Sequence, residues 1–382
     1  MRFRANYITG PLKRVKDRYL FFWSSYKGYV KLDWKRTFKL ANDAALGLDI
    51  GSAAVKMVAL DKSDTGYSAS AAGLAEIAVT VDDDSGPQAN IITAIRECCE
   101  NTQTKSKLAV CGVSGPDVAV RDFEFPPLSD EEIEAAVLLE AAQVCPFNAA
   151  DSAVGYQVMP NGQEKTRGVL VAATNPLVQG KMQLARKAGL KCVLMDVDGL
   201  ALLNCYNGLS RGHENHPAGR TVAILNVGAS HTTLAVMDKN GWPFIRDMTY
   251  AGDDIVAQIA ALKGQTTEVV RSILSGDSAP EEPDIRDGLE KACLRLITDV
   301  GETLRYYVAQ SKSPTVDKLL VCGGFALTRG FVELLNSRLG TQAVLWNPFE
   351  AVRYGENQPC QETLAKTGPA FAVAAGLAMR SI

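Results

Sequence analysis

From Ala45 onward, short apolar runs separated by turn residues predict mixed α/β structure. Strands are predicted at Leu46–Ile50 and Val55–Leu60, with a third near Tyr67–Val79. A helix around Gln88–Glu100 leads to a strand over Lys107–Val113. Val118–Phe125 alternates with period two and stops at Pro126-Pro127. Ser129 then caps a helix, and Glu132, three residues on, completes a capping box. That helix runs to about Val144, before Pro146. Strands at Tyr156–Met159 and Val169–Ala173 precede a helix that starts at Asn175-Pro176 and closes at Gly189. Residues 115–192 thus predict a small α+β module with two helices.

The second half repeats the first half's opening. Arg211–Arg220 has the composition of a linker, and its His213 and His216 read as exposed loop residues rather than a metal pair. Strands at Thr221–Leu225 and Thr232–Met237 precede another near Pro243–Tyr250, and Gly252 leads a helical stretch. Ser275–Gly288 is acidic and proline-rich and predicts a surface loop. A long helix over Leu289–Gln310 and an apolar strand over Lys318–Cys322, ending at Gly323-Gly324, come next. Leu327–Leu339 predicts a helix, Ala343–Trp346 a short strand, and the Ala- and Gly-rich Gly368–Met379 a closing helix able to pack tightly.

Two strand–turn–strand units carry the candidate chemistry. The first reads Ala45-Leu-Gly-Leu-Asp49-Ile-Gly51-Ser52, and the second Ala223-Ile-Leu-Asn226-Val-Gly228-Ala229-Ser230. A polar residue ends each first strand, and small residues fill each turn. Glycine lets backbone N–H groups approach a phosphate closely, so two facing turns could clamp one polyphosphate with its metal ion. The copies differ at one position, Asp49 against Asn226.

Composition narrows the class. With 382 residues the chain exceeds one ordinary core, and 47% hydrophobic with 22% charged residues is the balance of a soluble globular protein. No apolar run reaches the roughly 18–20 residues of a spanning helix, and the N-terminus lacks a secretory signal pattern. Nine scattered cysteines without a C-x-x-C pair read as reduced, mostly buried thiols. The net charge of −3 hides a split, because residues 1–40 hold eleven Lys/Arg against Asp17 and Asp33. In this arm Leu12, Val15, Tyr19, Phe22 and Tyr26 share one helical face, with Lys13, Arg14, Lys16 and Arg18 largely off it. Such a helix suits either an anionic membrane surface or packing on a partner; nucleic acid is not expected.

The order of strand–turn–strand, insert, second strand–turn–strand and strand–Gly-Gly–helix resembles the actin-like ATPase superfamily. Within it the chain is most similar to the PilM-like family of type IV pilus assembly. The matching segments are Gly47-Leu-Asp-Ile-Gly-Ser, Phe125-Pro-Pro-Leu-Ser-Asp-Glu-Glu, Leu139-Glu-Ala-Ala-Gln-Val-Cys-Pro-Phe, Asn226-Val-Gly-Ala-Ser, Cys322-Gly-Gly-Phe, Asn347-Pro-Phe and Gly376-Leu-Ala-Met-Arg. The resemblance implies an α/β fold of two lobes around a nucleotide cleft, with the α+β insert that PilM shares with FtsA. Its implied organisation is a basic arm at 1–44, first-lobe core at 45–114, inserted module at 115–192, return and linker at 193–220, second lobe at 221–365 and closing helix at 366–382. ATP and Mg2+ are the implied ligands. Asp49, Gly51, Ser52, Ala53 and Lys56 would serve the first phosphate turn, with Asp49 toward the metal. Asn226, Gly228, Ala229 and Ser230 would serve the second, and Gly323 and Gly324 the adenosine.

The resemblance also implies a cytoplasmic scaffold, peripheral to the inner membrane. Its first lobe and module would take the cytoplasmic N-terminal tail of a PilN-like inner-membrane protein, with other pilus assembly proteins as further partners. The family pattern has Asp in both turns; Asn226 supplies a dipole where a hard cation is served by a charge, so hydrolysis is expected to be weak or absent. Glu140 or Gln143 would be candidates to position water, against the simpler reading that both lie on a helix surface. The alternative function is an active FtsA-like ATPase or filament former at the membrane.

Overall fold

The computed structural model describes residues 45–63, 66–78, 86–159, 165–210, 219–276, 283–311, 315–350, 352–354 and 360–381. The basic arm, the acidic Asp82–Asp84 stretch and the His213–His216 loop lie outside the described residues.

Three sheets carry the structure. The first has six strands: β1 (Leu46–Ile50), β2 (Ala54–Ser63), β3 (Gly66–Glu76), β4 (Leu108–Val113), β8 (Lys191–Val197) and β14 (Arg353–Tyr354), in the order β14-β3-β2-β1-β4-β8. The second has five: β9 (Val222–Val227), β10 (Thr232–Met237), β11 (Pro243–Met248), β12 (Lys318–Cys322) and β13 (Ala343–Leu345), in the order β11-β10-β9-β12-β13. In both, three antiparallel strands in sequence order are extended on one side by two parallel ones. The repeat seen in the turns is therefore a repeat of whole sheets. The third sheet, β5-β7-β6, is antiparallel and built from β5 (Val118–Phe125), β6 (Ser152–Val158) and β7 (Thr166–Thr174).

Among the described residues there are three hydrophobic cores, and the first joins all three sheets, taking in Ile224, Ala235 and Leu320 of the second sheet and Ala153 and Val171 of the third. Leu46, Leu48, Met57 and Leu60 are buried with α1 (Gly86–Thr102) in the first. Leu225 and Val321 lie in the second, beneath α5 (Gly252–Lys263), α6 (Thr267–Ser275), α7 (Pro283–Ser311) and α8 (Phe331–Arg338), which itself buries Phe331 and Leu335 there. The third is small: Ile133, Val137 and Ala141 of α2 (Asp130–Val144) pack on Phe123, Val154 and Leu170. Ser129 accepts from the Glu132 amide while the Glu132 carboxylate accepts from the Ser129 amide, closing the predicted capping box.

Several boundaries differ from the sequence reading. The predicted loop Ser275–Gly288 is partly helix: α7 begins at Pro283, where a proline costs no hydrogen bond in a first turn. Leu327–Leu339 splits into a 3-10 turn over Phe325–Leu327 and α8, with Gly330 at φ +84° between them. The closing helix splits likewise into a 3-10 turn, Gly368–Phe371, and α10 (Ala372–Ala378), preceded by α9 (Cys360–Thr367). Helix α3 (Asn175–Lys187) takes Thr174, not Asn175, as its N-cap, and the Asn175 amide donates to Asp151 instead. Beyond β6 and β7, α3 also packs on β4, β8 and α1.

Two elements absent from the sequence reading join the sheets. These are β8 and the helix after it, α4 (Asp198–Cys205), buried from Gly199 onward. A Cβ on Gly199 would meet Ile245 and Thr233 of the second sheet, and one on Gly376 of α10 would lie 1.8 Å from the Ala201 carbonyl. The backbones of α4 and α10 cross in contact there, and glycine alone fits. Beyond α10, Arg380 pairs with Asp196 of β8 at 2.8 Å, both side chains under 5% exposed, which fastens the end of the chain to the first sheet.

Candidate functional site

The two turns are built alike. The Gly51 amide donates to the Ala54 carbonyl at 3.2 Å, and the Gly228 amide donates to the His231 carbonyl at 3.0 Å. A Cβ at either glycine would sit under 3.0 Å from that same carbonyl. Each turn thereby consumes its glycine N–H, while the next two amides, of Ser52 and Ala53 and of Ala229 and Ser230, donate to no described residue. In the second turn the Gly228 and Ala229 carbonyls accept from the Gly252 and Asp253 amides at the start of α5. Their peptide planes are thus held with oxygen toward the helix. Free, fixed backbone amides are what a phosphate needs.

The polar residues that precede the turns behave differently. Asp49 faces Lys56 across the β1–β2 ladder, and Lys56 Nζ lies 3.1 Å from Asp49 Oδ2 with both side chains largely buried. The first turn therefore offers a charge pair, not a free carboxylate. Asn226 pairs with Cys322 in register, and its Oδ1 lies 3.8 Å from Cys322 Sγ. Gly323 is buried at φ +94°, where a Cβ would meet the Val227 carbonyl at 2.4 Å and Asn226 Oδ1 at 2.7 Å. Gly323 is thus packed under the second turn, with its amide given to the Pro369 carbonyl, while Gly324 is exposed and starts the 3-10 turn. Of α2, Gln143 is exposed and Glu140 half-buried on the module.

Four residues that the sequence reading did not single out lie between the turns. Asp198, the first residue of α4, is half-buried, with its Oδ1 out of contact with solvent and lacking a hydrogen-bond partner among the described residues. Burial pushes its carboxyl up to about 7; the charges of Asp49 and Asp247 add to the rise, and the Ser114 hydroxyl and Lys181 oppose it. Lys181 of α3 donates to the Ile50 carbonyl at the end of β1. Asp247 of β11 accepts from the Thr233 hydroxyl at 2.6 Å and from the Gly115 amide at 2.9 Å. Burial raises its carboxyl too, with those two bonds and His231 opposing. His231 Nδ1 shares a 2.8 Å hydrogen bond with Ser230 Oγ. The local signal for Asp198 was an acid inside an apolar run, Val197-Asp-Gly-Leu-Ala-Leu-Leu. Asp247 carries no such signal.

Taken together, the residues fit a phosphate chain: four open amides, Lys56 and Lys181. Asp49 and Asp198 are the carboxylates that a hydrated Mg2+ would meet, consistent with a cation that keeps most of its waters. No group of three His, Cys, Asp or Glu side chains among the described residues is arranged to hold a metal directly. Nor is any described helix long and apolar enough to cross a membrane.

Comparison with known proteins agrees with this architecture. The chain matches a structure described as a PilM-PilN type IV pilus biogenesis complex with TM-score 0.74 at 24% identity, covering 89% of this chain and 99% of that one. It matches the ethanolamine utilization protein EutJ from Carboxydothermus hydrogenoformans with TM-score 0.53 at 14% identity, covering 89% and 90%. A diol dehydratase-reactivating factor in nucleotide-free form follows at 0.51 and 11%, covering 88% and 99%. These likenesses establish the actin-like fold that the resemblance implied. The family model of the type IV pilus assembly protein PilM matches residues 47–382, and the chain therefore belongs to the PilM family.

Proposed function

We propose that this chain is a cytoplasmic scaffold of a type IV pilus or related secretion platform, peripheral to the inner membrane. It binds the cytoplasmic N-terminal tail of a PilN-like protein. The observation that carries the reading is the family match over residues 47–382, joined to a fold that covers 99% of a chain solved in a PilM-PilN complex. The inserted module supports it. Helix α2 buries Ile133, Val137 and Ala141 and leaves Ala135, Leu139 and Ala142 exposed along the opposite face, with Leu139 64% exposed. An apolar helix stripe of this kind is a surface on which a short partner segment docks. Titrating a synthetic tail peptide of the PilN-like partner tests it. Leu139→Glu is expected to weaken binding tenfold or more without changing the melting temperature. Equal affinity for both proteins would remove the module from the interface, and no binding to the wild type would remove the function.

The cleft takes ATP in this reading, on the amides of Ser52, Ala53, Ala229 and Ser230 with Lys56. Bound Mg2+ would shield phosphate charge beside Asp49. Turnover is slow, because Asn226 leaves the second turn itself without a carboxylate for the metal's water shell. A second reading, active hydrolysis, has Asp198 in its favour: a half-buried carboxyl poised near neutrality is suited to accept a proton from water. Calorimetry of ATP with and without magnesium, followed by phosphate release, separates the two. Binding without release supports the scaffold; release that Asp198→Asn abolishes supports the enzyme.

A further inference from the structure

The inserted module leaves the first sheet through Ser114-Gly115 and returns to it through α3, and both roots touch the cleft. At the outgoing root, Ser114 faces Asp198 closely enough to oppose the rise of its carboxyl. The Gly115 amide donates to Asp247 of the second sheet, across 132 residues of sequence. Gly115 has φ +95°, and a Cβ there would lie 2.9 Å from Nε2 of His231, so the imidazole rests directly against the glycine. His231 itself closes the second turn through its carbonyl bond from Gly228. At the returning root, Lys181 holds the Ile50 carbonyl beside the first turn. Farther out, the Arg167 guanidinium of β7 lies 5.1 Å over the Trp242 ring that precedes β11, while pairing with Glu124 of β5 at 2.8 Å. Strands β5 and β11 lie against each other at this boundary.

We propose that Asp247, His231 and Trp242 form a latch that fastens the inserted module to the second lobe, so that the second turn and the module's root move as one. The contacts form a continuous path: Gly228 to His231, His231 to Gly115, Gly115 to β5. Asp247 fixes the far side by bonding Thr233 of the same hairpin and Gly115 of the module at once. Such a path joins two sites through an element that can be bonded or released, which is the physical requirement for coupling. The partner-side consequence rests on the reading that the module takes a tail peptide. A latched module keeps one orientation against the second lobe, so the tail meets a preorganised surface.

Hydrogen–deuterium exchange on the full chain tests the latch without any ligand. Asp247→Ala is expected to speed exchange tenfold or more in peptides covering 115–125 and 166–174, while peptides in β9 and β12 keep the wild-type rate. Trp242→Ala should act on the same segments more weakly. Asp247→Asn, which keeps an acceptor oxygen for Gly115, should retain most of the protection. Unchanged rates at 115–125 in Asp247→Ala, or a rise spread evenly over all three sheets, would overturn the latch. In the tail-peptide titration, Asp247→Ala is expected to bind at least fivefold more weakly than wild type, and equal affinity would overturn the coupling. A peptide that binds neither protein speaks against the proposed function alone, since the exchange rates still decide the latch.

Discussion

The two glycine turns share a backbone and differ in what stands beneath it. Under the first, Asp49 is held by Lys56 across a two-strand ladder, so the charged residue is satisfied within its own hairpin. Under the second, Asn226 has no ionic partner in its hairpin; Gly323 and Cys322 from a parallel strand close over it. The acid beside the second hairpin is Asp247 of the next strand, β11, bonded outward to the inserted module. The carboxylate of the first turn is thus satisfied within its hairpin, with Lys181 of α3 reaching only the Ile50 backbone, while the second turn is tied through side chains to distant parts of the chain. In the proposed reading the two turns divide the work: one would bind charge and the other would transmit position.

The packing under the second turn is the place to break this comparison hardest. Gly323→Ala combines a left-handed backbone with a Cβ 2.4 Å from the Val227 carbonyl, and neither can relax without moving β9 or β12. A loss of about 3 kcal/mol or more is expected in urea denaturation. Gly51→Ala in the first turn, where φ is not positive and the closest atom is 2.8 Å away, should cost distinctly less. Equal losses would mean that the two turns are supported alike.

Asp198 lies between the turns and gives the next largest effect. Its folded carboxyl titrates near 7, well above the roughly 3.9 of an unfolded aspartate. The folded state therefore holds a proton that the unfolded state has already lost between those values. Stability from this group is complete below about pH 4 and is lost as pH rises through 7. Asp198→Asn should flatten that part of the profile and be the more stable protein at pH 8, by on the order of a few kcal/mol relative to the difference at pH 4. Parallel profiles for the two proteins would place the carboxylate in a far wetter setting than its burial indicates.

How much of this was legible beforehand depends on the range of the contact. Strands β1, β5, β10 and β12 have the limits the apolar runs predict, because a strand that alternates or ends in a turn carries its own boundary signals. The Ser129–Glu132 box is equally local. Missing were β8 and α4, since a continuous apolar run has no period to separate strand from helix, and Asp198 went unnoticed with them. The acidic stretch before Pro283 reads as loop by composition, although acids and a proline are also what a helix start prefers. Asp247 lay beyond reach altogether. Its partners are 14 and 132 residues away, and one sequence holds no trace of a pairing made only when two sheets meet.

Within the cleft, Lys56→Met sharpens the comparison through nucleotide. It removes the charge that steadies Asp49 and, in the proposed reading, meets a phosphate, and leaves the carboxylate unpaired beside the turn. Charge-assisted bonds of this kind contribute roughly 1.5–3 kcal/mol, so ATP affinity by calorimetry should fall more than tenfold. Asn226→Asp is the smaller and more discriminating change. Its new charge would sit against the buried Cys322 thiol and the Gly323 backbone, so part of it is offset by desolvation. What survives should appear as a steeper dependence of ATP affinity on magnesium, about 1 kcal/mol or less, the weight of one carboxylate acting through water. Affinity without magnesium should fall slightly, because a second negative charge then faces bare phosphate. If the substitution raises affinity equally with and without the metal, Asn226 contacts the phosphate chain directly. The missing carboxylate would then be irrelevant to how this cleft differs from its own duplicate.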